Sequence, residues 1–252
     1  MAATYSELSG RAVAITGAAG GIGEAAARAF HAQGAFVFLV DIDGERLGAV
    51  AASLGERAQA LTADITDAEA VKNLFVRIDA AGHGLDVLIN CAGGYRKLLS
   101  VEQMELDEWD RTIALNLRSV FLTCQAAIPR LKVSKAGRIV NITSISGRTV
   151  HATSSPAYGA AKAGVTQLTR FLAFELGPHG ITANTIAPLT TLTPRVAALR
   201  TAEDVERIAA QVPLRRLATV DDHVNAMLYL ASDGAGFVTG VALDTNGGRV
   251  ML

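Results

Sequence analysis

Tyr158 and Lys162 are four residues apart, and Ser144 lies a short distance upstream of them. Residues i and i+4 of a helix share one face, so a phenol and an ammonium group at this spacing would point into the same space. The neighbouring cation would favour the ionised phenol, whose unperturbed pKa is about 10. A tyrosine activated in this way can take or give a proton near neutral pH, which is general acid–base chemistry.

The pKa shift that this chemistry requires is large. Lowering the pKa of Tyr158 from about 10 to about 7 requires roughly 4 kcal/mol, more than one exposed ammonium group contributes. A second, permanently positive group is therefore expected near the phenol. Because the spacing of Tyr158 and Lys162 is weak evidence on its own, an ordinary surface pair on a helix is the alternative interpretation.

A glycine-rich turn follows the first predicted strand. Gly17, Gly21 and Gly23, with Ile22 between the last two, stand directly before a helical pattern. A turn without Cβ atoms lets the backbone approach a pyrophosphate, and the start of a helix offers free N–H groups and the positive end of its dipole. The turn therefore indicates a nucleotide site, and the alternative is an ordinary glycine turn that joins strand to helix.

Asp41 ends the second predicted strand, where its carboxylate can accept hydrogen bonds from both ribose hydroxyls of an adenosine. The same charge would repel a 2′-phosphate, so the sequence favours NAD over NADP. No basic side chain occupies the positions from which such a phosphate could be neutralised, namely Ala18, Ala19, Gly20 and Ile42. The alternative role for Asp41 is helix capping, which Asp43 could already fill.

Short apolar runs alternate with helical patterns along the whole chain, which predicts β-α-β units and a parallel sheet. Strands are expected at RAVAIT, AFVFLVD, AQALT, LDVLIN, GRIVNITS, ITANTIA and VALDT. Helices are expected over about 67–81, 106–131 and 221–232. The fold class is therefore α/β, a Rossmann-type doubly wound sheet of about seven parallel strands with helices on both faces. We expect one domain over 1–252, with a cofactor half at about 10–150 and a substrate lid at about 189–212.

The composition limits the kinds of partner. The chain has 252 residues, a net charge of −1 and a single Trp, which argues against a nucleic-acid surface or an electrostatic membrane anchor. Charged residues interrupt every apolar stretch well before the roughly 18 residues of a membrane span, and no secretory signal is visible, so a cytoplasmic location is expected. Cys91 and Cys124 are too few for a disulfide framework or a Cys-rich zinc site, and both are expected to be buried fillers. The partner is expected to be a small molecule.

Together these motifs resemble the short-chain dehydrogenase/reductase family in its single-domain form. The resemblance extends from Gly10 to Gly248. Besides the residues above, it depends on several short motifs in the family's order: Asp64 in ADIT, Asn90–Gly93, Asn116 in NLRS, Asn184–Pro188 and the closing LDTNGG.

The resemblance implies cofactor roles for residues in three segments. They are Asp64 and Ile65 beside the adenine, Asn90, Ala92 and Gly93 after the fourth strand, and Pro188 with Thr193, of which Thr193 would contact the nicotinamide carboxamide. The oxidised nicotinamide ring would then be the second positive charge near Tyr158.

The resemblance also implies a catalytic set: Tyr158 as general acid and base, Ser144 orienting the substrate oxygen, Lys162 acting on Tyr158 and on the nicotinamide ribose, and Asn116 holding a water in the proton relay. The reaction would be NAD-dependent oxidation of a secondary alcohol, or the reverse ketone reduction. Ser146 is a rival to Ser144, which stands three residues before Gly147 as the family pattern has it.

Two departures from the family pattern affect the substrate side. Leu189 follows Pro188 where the family usually has glycine, so the backbone near the nicotinamide is expected to take a different course and contacts near Thr190 are in doubt. The interval from Ser144 to Tyr158 is one residue longer than usual, which suggests an altered loop over 148–155.

Several alternatives stay open. A catalytically inactive NAD-binding scaffold or regulator of the same fold is the rival function, and serine nucleophilic catalysis is the rival chemistry, although no histidine motif accompanies Ser144. Candidates for an anion-attracting or pocket role are Arg96, Lys97, Arg148, His151, Leu189 and Arg195. The helices that carry Asn116 and Tyr158 are rich in small and apolar residues, which suits a homodimer or homotetramer.

Overall fold

In the computed structural model, which describes residues 4–150, 154–193 and 201–251, all the named strands form one parallel sheet. The seven strands are β1 (Ala12–Thr16), β2 (Phe36–Asp41), β3 (Ala58–Thr62), β4 (Val87–Asn90), β5 (Arg138–Ile142), β6 (Thr182–Pro188) and β7 (Ala242–Thr245). Their order is β3-β2-β1-β4-β5-β6-β7. The predicted Rossmann-type sheet is confirmed.

The helices are α1 (Gly21–Ala32), α2 (Gly44–Leu54), α3 (Ala68–Ala80), α4 (Leu106–Ile113), α5 (Ser119–Leu131), α6 (Pro156–Leu176), α7 (Ala202–Ala209) and α8 (Val220–Ala231). A π-helical turn over Ala114–Arg118 joins α4 to α5. The helix expected over 106–131 is therefore present but contains this irregular turn. The predicted lid corresponds in part to α7, and in part lies outside the described residues.

Alternate side chains of each strand enter two separate cores, as expected for a sheet covered on both faces. Val13 and Ile15 of β1 pack in the core under α1, α2 and α8, whereas Ala12 and Ala14 pack in the core under α3, α5 and α6. Near-continuous apolar strands follow from this double burial. They explain why the sequence pattern identified the strands correctly.

Carboxylate caps fix where two of the helices begin. Asp43 precedes α2 and accepts a hydrogen bond from the amide of Arg46 at 3.1 Å, and Asp67 precedes α3 and accepts from the amide of Ala70 at 2.7 Å. Such caps satisfy amides that have no partner within the helix. Among the described residues, no helix is both long and apolar enough to cross a membrane.

The strand order reverses between the neighbouring strands β1 and β4. The strands that follow β1 extend the sheet on one side, and the strands that follow β4 extend it on the other. Connections after the two strands lead away in opposite directions, and this opens a crevice at the carboxyl ends of the strands. The glycine turn leaves β1 at this crevice, and Asn90 ends β4 beside it. The fold thus brings the two motifs together although they are far apart in sequence.

A buried hydrogen-bond network ties the centre of the sheet to the helices over one face. Asn141 of β5 donates to the Thr169 hydroxyl of α6 at 2.9 Å and accepts from the Asn90 amide at 2.9 Å. The Thr123 hydroxyl of α5 donates to Asn90 at 2.8 Å. Because Asn141 is fully buried, its amide depends on these partners.

Replacing Asn141 with Ala should lower the free energy of unfolding by about 2–4 kcal/mol, since it opens a cavity and leaves buried polar partners unsatisfied. Thr169→Val, which removes one hydroxyl and keeps the volume, should cost about 1 kcal/mol. Urea unfolding followed by circular dichroism would measure both. An Asn141→Ala variant no less stable than Thr169→Val would contradict a central role for the network.

Candidate active site

The glycine turn is packed too closely for side chains at two of its positions. A Cβ atom on Gly23 would lie 2.1 Å from the carbonyl oxygen of Gly17, and one on Gly17 would lie 2.8 Å from the Cα of Ala92. Gly17 also has a φ of +73°, which favours glycine. No side chain caps α1 at Gly20, so the first-turn amides are available to an anionic group.

A cleft of about 820 Å³ lies over this turn and the carboxyl ends of β1, β2 and β4. Ten of the sequence-predicted cofactor residues line it: Gly17, Gly21, Ile22, Gly23, Asp41, Asp64, Ile65, Ala92, Gly93 and Thr193. The turn's missing Cβ atoms and the volume of the cleft fit an extended dinucleotide. The residues present are therefore suited to a nicotinamide cofactor.

Asp41 is held by the backbone on both sides. One carboxylate oxygen accepts from the amide of Ala19 at 3.1 Å, and the other accepts from the amide of Asp43 at 3.1 Å. Each oxygen keeps acceptor capacity for a further donor. The carboxylate thus fixes the glycine turn to the end of β2 and still lines the cleft.

Arg46 is a cleft residue that the sequence analysis missed. It lies in the first turn of α2 and lines the same cleft as Asp41. A phosphate-neutralising side chain was expected only within the glycine turn or directly after Asp41. The available signal was the helix start at Asp43, since the first turn of that helix faces the strand end that carries Asp41.

A second pocket of about 350 Å³, the candidate catalytic pocket, adjoins the cleft. It contains the predicted catalytic residues Ser144, Tyr158 and Lys162, together with Pro188. Ile22, Cys91 and Gly93 line both cavities, so the two meet there. Cys124 is buried, as expected, and Cys91 is partly buried and packs against the core under α1, α2 and α8.

Tyr158 is hydrogen-bonded to the side chain of Ser144. The hydroxyl oxygen of Ser144 also accepts from the backbone amide of Ser146 at 3.1 Å, which holds the serine at the start of a short 3₁₀ turn. Of the two candidate serines, Ser144 is therefore the one in contact with the phenol. The ring of Tyr95 lies 5.2 Å from that of Tyr158 and forms a neighbouring wall.

The ammonium group of Lys162 lies 5.6 Å from the centre of the Tyr158 ring and donates to the carbonyl oxygen of Ile142 at 2.7 Å. The side chain is buried, with 2% of the residue exposed. Burial lowers the pKa of Lys162 to about 8. Burial likewise raises the pKa of Tyr158 to about 12, against the opposing effect of the Ser144 hydrogen bond. The protein's own groups therefore leave the phenol protonated at neutral pH, so the requirement for a further positive charge still holds.

Asn116 lies in the π-helical turn and is fully buried. Its amide oxygen accepts from the backbone of Gly94 at 2.8 Å, and its amide nitrogen donates to the carbonyls of Gly94 and Thr112 at 2.7 and 2.8 Å. A Cβ atom on Gly93 would lie 2.7 Å from the Asn116 oxygen and 3.0 Å from the Lys162 nitrogen. The turn thus brings Asn116 next to Lys162.

Asn90 differs from the other implied cofactor residues. Its side chain is 2% exposed and forms the hydrogen bonds to Thr123 and Asn141 described above. It lines neither cavity. Asn90 can therefore support a cofactor only indirectly, by fixing the end of β4. The sequence motif could not indicate that the Asn90 side chain points into the protein and away from the cleft.

Two of the candidate anion-attracting residues have acidic partners. Arg148 pairs with Asp244 of β7 at 3.1 Å, and Lys97 pairs with Glu105 at 3.1 Å. Arg96 is exposed, whereas Arg195 and His151 lie outside the described residues, as does part of the 148–155 loop. A basic patch for an anionic substrate is therefore not formed by Arg148 and Lys97.

Leu189 is accommodated without the left-handed backbone that glycine would allow. Among the described non-glycine residues, Arg215 alone has a positive φ. β6 continues through Pro188, which pairs with Thr245 of β7, and Leu189 is then buried in the wall of the catalytic pocket. β6 therefore ends at Pro188, and Leu189 follows it without a positive φ.

Comparison with known proteins agrees with this geometry. A family model described as "Enoyl-(Acyl carrier protein) reductase" matches residues 17–249. Nodulation protein G of Rhizobium sp. (strain N33) is 38% identical over 98% of this chain and 99% of its own. The (2S)-[(R)-hydroxy(phenyl)methyl]succinyl-CoA dehydrogenase subunit BbsD of Thauera aromatica is 38% identical over 96% of this chain and 97% of its own.

A solved structure gives the same result. The 3-oxoacyl-[acyl-carrier protein] reductase of Brucella melitensis superposes with a TM-score of 0.92 and 33% identity, covering 98% of this chain and 94% of that one. The residues matched by the family model include the glycine turn and the segment that carries Tyr158 and Lys162. The chain belongs to the short-chain dehydrogenase/reductase family of oxidoreductases, which use nicotinamide cofactors.

Proposed function

We propose that this protein is an NAD-dependent oxidoreductase that interconverts a secondary alcohol and a ketone. The observation that supports this most directly is the Ser144–Tyr158 hydrogen bond beside the buried Lys162, in a pocket that meets the dinucleotide cleft. A proton-transferring phenol next to a cofactor cleft suits the removal of a proton and a hydride from adjacent atoms of one substrate.

The cleft residues have separate tasks in holding the cofactor. The glycine turn and the start of α1 would receive the pyrophosphate, and Asp41 would accept hydrogen bonds from the adenosine ribose. Asp64 and Ile65 would border the adenine, while Ala92, Gly93 and Thr193, with Pro188 of the adjoining pocket, would lie towards the nicotinamide. A bound nicotinamide cofactor supplies the hydride acceptor for oxidation and the donor for reduction.

The catalytic residues handle the proton. Tyr158 takes the proton of the substrate hydroxyl during oxidation and returns it during reduction, while Ser144 donates a hydrogen bond to the same oxygen. Lys162 supplies positive charge near the phenol, and Asn116 beside it orders a water for proton exchange with solvent. No histidine takes part in this scheme, which sets it apart from serine nucleophilic catalysis.

The preference for NAD is proposed from charge. Asp41 lines the cleft with a carboxylate that repels a 2′-phosphate, whereas Arg46, which lines the same cleft, favours one. Asp41 is fixed by two backbone amides, but Arg46 is an exposed side chain with rotamer freedom to lose. We therefore give Asp41 the larger weight.

The reacting group of the substrate is proposed from the site and agrees with the relatives' names. BbsD is named for a hydroxy(phenyl)methyl compound, a secondary alcohol, and the Brucella structure for a 3-oxoacyl compound, a ketone. In this chain Tyr95, Ile145 and Leu189 contribute apolar surface to the pocket. We propose a small, largely apolar substrate around the reacting carbon.

Assembly into a homodimer or homotetramer is proposed from the outer faces of two helices. Phe121 of α5 is 45% exposed, and Phe171 and Phe174 of α6 are 57% and 83% exposed. Large exposed aromatic side chains suit burial against a second copy of the same surface. A cytoplasmic location stays an expectation from the sequence.

Replacing Tyr158 with Phe should lower kcat by at least about 100-fold, because it removes the proton-transferring hydroxyl. NADH binding, measured by fluorescence titration, should stay within a few-fold of the wild type. Turnover is followed at the nicotinamide absorbance with a panel of secondary alcohols and ketones. Ser144→Ala should also lose activity, while Ser146→Ala, the matched control, keeps the backbone amide and should retain it.

The rival function, an inactive scaffold or regulator, makes the opposite prediction. A wild-type protein that binds NADH without converting any panel member, and whose biological role survives Tyr158→Phe, would support the scaffold. Loss of that role in Tyr158→Phe would support the enzyme.

NADH should bind at least about 10-fold more tightly than NADPH, since Asp41 repels the added phosphate. Asp41→Asn keeps the shape and one acceptor oxygen, so it should narrow this difference mainly by improving NADPH binding. Arg46→Ala should leave NADH binding nearly unchanged. Wild-type protein that binds NADPH as well as NADH would show that Arg46 outweighs Asp41.

Light scattering at micromolar concentration should give the mass of a dimer or tetramer. Phe174→Lys should reduce that mass, because a charge would be buried at the contact. Val133→Lys, at a site that is also exposed, is the control and should leave the mass unchanged. A monomeric wild type would refute the proposed assembly.

A further inference from the structure

His223 of α8 is a buried histidine that the proposed mechanism does not use. It is fully buried, and both of its ring nitrogens have a threonine partner. Nε2 lies 2.8 Å from the hydroxyl oxygen of Thr191, in the segment after β6, and Nδ1 lies 2.9 Å from the hydroxyl oxygen of Thr245 at the end of β7. Three separate parts of the chain therefore meet at one imidazole.

The direction of each hydrogen bond follows from counting protons. The Thr191 hydroxyl donates its one proton to the carbonyl oxygen of Leu189 at 3.0 Å, so its oxygen accepts from Nε2–H of His223. A neutral imidazole has a single N–H group, so Nδ1 accepts from the hydroxyl of Thr245. A continuous chain of donors thus runs from Thr245 through His223 and Thr191 to Leu189.

The neutral ring that this arrangement requires is consistent with its surroundings. Burial lowers the pKa of His223 to about 4, although the carboxylate of Asp222 acts in the opposite direction. Asp222 is itself engaged by Arg216 in a two-pronged ion pair at 2.6 and 2.7 Å. The imidazole is therefore kept as a hydrogen-bonding group and not as a charge.

The segment that His223 holds forms part of both cavities. Leu189, Thr190 and Thr191 line the catalytic pocket, and Thr193 lines the dinucleotide cleft. A Cβ on Gly21, at the start of α1, would lie 3.8 Å from the methyl carbon of Thr193. A shift of this segment would therefore alter the wall beside Tyr158 and the cover over the glycine turn together.

Two further anchor points of the segment are backbone contacts. The amide of Leu192 donates to the carbonyl of Ala218 at 2.8 Å, and the amide of Thr193 donates to the carbonyl of Thr191 at 2.8 Å. These bonds set the local path of the segment, and within the described residues the His223 bridge connects the Thr191 side chain to Thr245 of β7. The bridge thus joins the segment to the rigid sheet.

We propose that His223 is a positioning residue, which through Thr191 and Thr245 fixes the 189–193 segment against β7 and so sets the geometry of the site where cleft and catalytic pocket meet. The competing explanation is a histidine that only fills space and adds stability. The two differ in what happens to cofactor binding when the hydrogen bonds are lost but the volume is kept. The kinetic part of the test rests on the proposed function, while the binding part rests on family membership alone.

The test compares His223→Leu, His223→Gln and Thr191→Val in NADH and NADPH titrations and in steady-state kinetics. His223→Leu and Thr191→Val should weaken binding of the preferred cofactor and lower kcat/KM by about 10-fold each. The amide of His223→Gln can still donate to Thr191, so this variant should recover to within about 3-fold of the wild type. Thr185→Val, which removes a buried hydroxyl from β6, is the matched control and should leave binding and kinetics within about 2-fold.

A melting temperature for each variant separates stability from positioning. The proposal would be overturned if His223→Leu lowered the melting temperature but kept wild-type cofactor binding and kcat/KM, as Thr185→Val is expected to do. It would also be overturned if His223→Gln bound cofactor no more tightly than His223→Leu and had no higher kcat/KM. A wild type that binds cofactor but converts no substrate would refute the proposed function and leave the binding comparison decisive. A wild type that binds neither cofactor would overturn both.

Discussion

The burial of the Lys162 ammonium group is the constraint on which the site depends. A buried cation is costly unless hydrogen bonds replace its water, and the described structure gives it the carbonyl of Ile142 at 2.7 Å. That contact fixes the first turns of α6 to the end of β5. It also requires space beside the ammonium group, which the missing side chain of Gly93 provides. Lys162 can therefore reach this position only when the end of β5 and the segment after β4 are both in place.

The position of Ser144 follows from the same packing. A Cβ atom on Gly147 would lie 2.6 Å from the carbonyl carbon of Lys162, so the turn after Ser144 lies directly against the backbone of α6. Because that position has no side chain, the turn approaches closely enough for Ser144 to contact Tyr158. The interval between the two residues in sequence matters less than this contact between turn and helix. This explains how the pair meets despite the longer loop.

Local patterns in the sequence were sufficient for the strands, the glycine turn and the pairing of Tyr158 with Lys162, because each depends on residues that are neighbours along the chain. The partners of Arg148, Asn90 and His223 could not be predicted in the same way. Each of these side chains is oriented by a residue on a distant element, as Arg148 is by Asp244 of β7. A motif specifies that such a residue is present, but the tertiary fold decides which way it points. The burial of Leu189 likewise depends on β6, which continues as a strand through Pro188.

The place of β7 at the end of the sheet has a consequence for how the chain folds during synthesis. Ribosomes make the N-terminal segments first, so β1 to β6 and α6 exist before β7 is made. Until β7 pairs with β6 through contacts such as Thr185 with Ala242, β6 is an open edge with unpaired amide and carbonyl groups. During that interval Arg148 and His223 lack Asp244 and Thr245, the β7 residues that later bind them. The nascent chain can thus form its glycine turn early, whereas the Arg148–Asp244 and His223–Thr245 contacts form only when the last strand joins the sheet.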